Sequence, residues 1–177
     1  MLMHVRAKKI ATAGLLAAMA VVLLILAAVV ETSSLFFIAA ASFCVGIVVR
    51  KWGVRYGAAF LVASASVGFL AAPNKMYCLT FVGMGIYLLG SELIWRLVAS
   101  SEKLKHRRTM LWIGKYVLFN AMYLPVLIFF PKLLIAKRMT GLLFLGAFAA
   151  GQVGLFFYDV AHNYVQSIIW KKFSIEI

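Results

Sequence analysis

The chain has 177 residues, 65% of them hydrophobic, and sets 18 lysines and arginines against 5 acidic residues. A mean hydropathy of +1.01 excludes an ordinary soluble domain, which is nearer half apolar. The 13 surplus positive charges sit between the hydrophobic runs rather than in a tail or a nucleic-acid-reading motif. They therefore read as topology signals and contacts to anionic lipid, not as a nucleic-acid surface.

The first apolar run covers residues 10–30 and contains no charge. Twenty-one such residues are enough to cross a bilayer. Lys8 and Lys9 precede it, and Val29-Val30-Glu31 is a poor cleavage site, so it reads as a retained helix rather than a signal peptide. Ala13 and Ala17, with Gly14 and Ala18 one position on, place small residues four apart and let another helix come close. Two shorter runs follow, 34–49 and 57–72, with room to continue into the basic turn between them. Pro73-Asn74-Lys75 reads as a tight turn. The fourth run is 76–98 and the fifth is 111–130, with Pro125 inside it. The sixth, 140–169, is longer than a span needs and is expected to continue past the membrane as an amphipathic end.

These six runs predict an all-α, polytopic six-helix bundle forming a single integral membrane domain over residues 1–177. A barrel would need alternating segments that the sequence lacks. With the N-terminus inside, 14 of the 18 cations fall on the inner side. Lys75, Lys132, Lys137 and Arg138 fall outside. That split predicts six spans with both termini cytoplasmic, in a multi-pass protein of the cell membrane, here a bacterial plasma membrane.

Polar residues within the runs mark candidate sites, because ionisable groups in lipid are costly. Glu92 and Arg96 stand one turn apart, and Lys115 and Asp159 lie at similar depth, so the four are expected to form an inner ion cluster. Gln152, Asp159, Asn163 and Gln166 share a helical face, with His162 one position off it. Tyr116, Asn120 and Tyr123 make a similar face on the fifth run. Asn120 and Gln152 fall near mid-membrane, where they either line a small-molecule pocket or bond each other between helices. On the outer rim, a solute would meet Glu31, Asn74, Lys75, Tyr77, Tyr123, Lys132, Lys137 and Arg138. The cationic surplus there favours a solute carrying a carboxylate or phosphate.

Cys44 and Cys78 lie in apolar runs without metal-ligand spacing and are expected to be buried thiols. No zinc-protease helix motif, nucleophile elbow or phosphate-binding loop occurs. The reading is therefore of a chain that is not an enzyme and carries no metal or other cofactor. Without a nucleotide loop, active transport would need a partner.

Six spans with both ends inside, Ala13 and Ala17 four apart after a basic start, and Gly83, Gly85 and Gly90 in the fourth run resemble the S components of energy-coupling factor transporters. The turn ending Val-Arg-Tyr-Gly57 before a short Ala-rich helix also resembles them. That resemblance implies a membrane-embedded subunit binding a vitamin or small solute near its outer face. It implies that Ala13 and Ala17 dock to a membrane coupling subunit carrying two cytoplasmic ATPases. His4 follows Leu2-Met3 instead of an initial Met-His pair, so the resemblance does not extend to a nickel or cobalt subunit. The alternative is a non-catalytic membrane scaffold or assembly subunit of the cell envelope.

Overall fold

The computed structural model describes residues 2–100, 106–129 and 141–173. These residues are 96% helical and contain no strand. Six α-helices carry the described residues: α1 (Leu2–Val29), α2 (Ser34–Trp52), α3 (Val54–Ala71), α4 (Lys75–Ser100), α5 (Arg107–Phe129) and α6 (Gly141–Phe173). A single 3₁₀ turn, Glu31–Ser33, links α1 to α2. All six are long and apolar enough to cross a membrane, the signature of a multi-pass membrane protein.

Residue contacts divide the chain into two units, Met1–Leu93 and Ile94–Ile177. In the first, α1, α2 and α3 pack on one another. Their core joins Leu24 of α1, Ile38 and Val45 of α2, Phe60 of α3 and Phe81 of α4. The buried polar side chains here are Ser42, Ser64 and Ser91. Each hydroxyl donates to a carbonyl of its own helix: Ala39, Phe60 and Leu88 respectively. Such back-bonding gives a hydroxyl among apolar neighbours an acceptor on its own helix. Cys44 and Cys78 are buried free thiols, as expected.

α2 and α3 are longer than their apolar runs because the basic turn is itself helical on both sides of Gly53. Gly53 is the one linking residue and has φ 97°, which favours glycine. Its N–H donates to Val49 O at 2.8 Å, and its own carbonyl accepts from Gly57 N–H at 3.1 Å. Arg50 and Lys51 lie in the last turn of α2, where positive charge complements the helix dipole.

In the second unit α5 and α6 pack on each other, and Ile94 of α4 abuts Gly114 of α5, where a Cβ would come within 2.9 Å. Among its described residues the buried polar side chains are Asp159, His162 and Gln166. Among the described residues the two units thus differ in kind: buried serines in the first, charged and amide groups in the second.

Candidate functional site

The contact between α5 and α6 is a seam of paired side chains. From Lys115 to Asn120 to Tyr123 along α5 the partners step back along α6 from Asp159 to Gln152 to Ala147, so the helices run antiparallel. Near the start of α5, Trp112 stacks on Phe156 at 5.7 Å and 24°. Lys115 Nζ donates to both carboxylate oxygens of Asp159, at 2.7 and 2.9 Å. Asn120 and Gln152 exchange amide bonds: Gln152 Nε2 donates to Asn120 Oδ1 at 2.7 Å and Asn120 Nδ2 to Gln152 Oε1 at 3.4 Å. Further along, Tyr123 Oη donates to Ala147 O at 2.8 Å. Gly151 makes room for that ring, since a Cβ there would lie 2.6 Å from Tyr123 Cε1.

Depth follows from the helical rise of about 1.5 Å per residue. Lys115 lies 8 residues beyond Arg107 and Asp159 lies 9 before Ile168, the respective span limits. The ion pair is thus about 12 Å from that end of the spans. Asn120 and Gln152 each lie 8 residues from the opposite limits, Ile128 and Phe144, again about 12 Å. Charge sits toward one end of the seam and neutral amides toward the other.

The ion pair is asymmetric. The Lys115 side chain keeps 17% of its surface exposed and that of Asp159 only 3%. The ammonium also stands 5.6 Å from the Trp112 ring centre, a cation–π contact that helps it leave water. Asn163 Nδ2 adds a third donor to Asp159, at 3.0 Å. One turn on, Gln166 Nε2 and His162 Nε2 lie 3.3 Å apart, both residues buried. Gln166 Oε1 is buried with no hydrogen-bond partner among the described residues.

Of the expected inner cluster, the structure joins Lys115 to Asp159. Glu92 is half-buried and Arg96 exposed, one turn apart on α4, with the boundary between the units falling between them. Asn120, Tyr123 and Gln152 come together in the seam as the spacing of 4 and 3 predicts. Trp112 and Phe156 belong to the same contact; their polarity does not single them out in the sequence, but their position one turn from Lys115 and Asp159 does.

The expected outer rim divides. Asn74 Oδ1 accepts from Met76 N–H at 3.0 Å, capping α4. Lys75 Nζ donates to Phe69 O and to Ala72 O, the latter at 3.1 Å, closing the end of α3. Tyr77 packs against the core of the first unit. Lys132, Lys137 and Arg138 lie outside the described residues, as does the side chain of Glu31. Ala13 and Ala17 are half-buried against the chain's own core, while Gly14 and Ala18 are exposed. An open, mainly apolar groove runs along α5 beside Trp112, Tyr116, Asn120 and Leu124. No group of His, Cys, Asp and Glu among the described residues could hold a metal ion.

The architecture is that of an all-helical protein with six candidate membrane spans. No protein family, curated protein or solved structure matches the chain.

Proposed function

We propose that the chain is the membrane-embedded substrate-binding subunit of an uptake transporter for a vitamin or other small solute. The reading rests on the amide pair of Asn120 and Gln152 near mid-span. Amides in hydrocarbon are costly unless bonded, and helices that need only to adhere can do so through small apolar residues. An amide–amide pair is also exchangeable: a solute group that both donates and accepts, such as an amide, can insert between the two and bond each of them. Asn120 also lines the groove along α5, and Tyr123 lies one turn from it in the seam. The cations Lys132, Lys137 and Arg138 would favour an anionic solute.

In this reading the first helix docks to a coupling subunit with cytoplasmic ATPases. Ala13 and Ala17 are taken up by the chain's own core, so docking falls to the exposed Gly14 and Ala18. The protein sits in a bacterial plasma membrane with both termini inside. The second reading, a scaffold or assembly subunit, is favoured by the reciprocity of the Asn120–Gln152 bonds, which leaves the two amides satisfied by each other.

Purification in mild detergent followed by mass spectrometry of small molecules and proteins decides between them. The expected result is a solute retained by the wild type and lost from Asn120→Leu and Gln152→Leu. A coupling subunit and ATPases should co-purify and be lost from Gly14→Trp and Ala18→Trp. Partner proteins without an ATPase, and no solute, would establish the scaffold instead.

A further inference from the structure

Five exposed cations gather at one end of the first unit. Lys8 and Lys9 lie near the start of α1, Arg50 and Lys51 in the last turn of α2, and Arg55 in the first turn of α3. The tight link at Gly53 keeps the last three within six residues of one another. Glu31, the one acid in the sequence of α1 to α3 and their links, belongs to the opposite end. Glu92 of α4 is the acid near this end; it is half-buried and lies one turn beyond Leu89, which packs toward Gly57. Charge at this end is therefore strongly positive.

The aromatic residues beside these cations set its chemistry. The Lys51 ammonium lies 5.5 Å from the Trp52 ring centre, and Tyr56 is 60% exposed. Rings of this kind, apolar in body and polar at the edge, favour the boundary between lipid and water. Arg55, Ala59 and Val62 then share an exposed face of α3 at intervals of 4 and 3. An anion held by Arg55 is thus continuous with an apolar track, and Val62 is 67% exposed along it. A free anion has nothing to place there; an anion bearing an acyl chain covers both parts.

We propose that the α2–α3 turn is a binding site for an anionic phospholipid, with the headgroup phosphate between Arg50 and Arg55 and an acyl chain along Ala59 and Val62. The site rests on the membrane placement of the helices but not on the solute reading, so either stands if the other fails.

The test reconstitutes the full chain in bilayers of equal phosphatidylcholine and phosphatidylglycerol, extracts it in mild detergent, and counts retained lipids by native mass spectrometry. The wild type should retain phosphatidylglycerol preferentially. Arg50→Gln and Arg55→Gln should each reduce that preference about fivefold, the worth of one charge near an anionic surface. Arg108→Gln removes an equal charge from α5 and should leave the preference intact. A variant with Trp52 as sole tryptophan, the other three replaced by Phe, should be quenched more by brominated phosphatidylglycerol than by brominated phosphatidylcholine. Equal retention or equal quenching of the two lipids would overturn the site. So would an Arg108→Gln effect as large as that of Arg55→Gln, which would mark net charge alone. Displacement of the lipid by millimolar inorganic phosphate would mark a free-anion site instead.

Discussion

Lys115 and Asp159 show how one side chain sets the requirements of another. The carboxylate is nearly sealed from solvent and takes two donors from Lys115 and one from Asn163. Lys115→Met would leave that charge without its cation, and breaking a buried pair in this way costs about 3–5 kcal/mol. Replacing both partners by apolar groups is often neutral. Thermal unfolding in detergent should therefore show Lys115→Met strongly destabilised, and Lys115→Met with Asp159→Leu recovering most of the loss. A double variant no better than the single would mean that Asp159 is needed for its bonds to α6 rather than for its charge. Gly53 makes a separate residue-level demand, through its backbone. At φ 97° a Cβ strains the chain by about 1–3 kcal/mol, so Gly53→Ala should lower the melting temperature while leaving helix content by circular dichroism unchanged.

Among the elements, α5 and α6 depend most on polar pairing. In a bilayer there is no hydrophobic drive between helices, so packing and hydrogen bonds hold them. A double-mutant cycle on Asn120→Ala and Gln152→Ala should return a coupling of about 0.6 kcal/mol, and no more than about 1.7 kcal/mol. Additive effects would show that the amides act separately. This seam was legible in advance: Asn120 and Tyr123 on one helix and Gln152 and Asp159 on the other recur at helical spacing, and polar faces inside apolar spans must find each other. The turn at 73–75 was legible as a turn, but the bonds its side chains make were not. Asn74 and Lys75 look like rim residues because they are polar and near a predicted outer edge, but unpaired backbone groups at the ends of α3 and α4 lie within reach and engage them. Side-chain type alone does not reveal that competition.

For the whole molecule, hydropathy was sufficient to find six helices and too coarse to place their ends. α1 begins at Leu2, well before its apolar run, because Lys8 and Lys9 are compatible with helix though not with hydrocarbon. α2 continues through Arg50 and Lys51 for the same reason. The partition at Leu93 has no counterpart in composition, since α4 is apolar on both sides of it; it arises from which neighbours each half of that helix meets. The distribution of cations makes a testable statement about orientation. Cysteines introduced at position 104 and at the C-terminus of a Cys44→Ala, Cys78→Ala chain should react with a membrane-impermeant thiol reagent only after the cells are opened. Labelling of either in intact cells would reverse the assigned topology.

α6 has 33 residues, a rod about 50 Å long. A hydrocarbon layer near 30 Å would need a tilt of about 50° to contain it, more than the 0–40° such helices adopt. Some of a membrane-spanning rod of this length must therefore lie outside the hydrocarbon layer, and because the helix is unbroken, that portion moves with the part within. Asp159 then occupies the position of a fulcrum, tied across to Lys115 while the amide pair lies on the other arm, 7 residues away at Gln152. A tilt of α6 about that tie would shift Gln152 against Asn120.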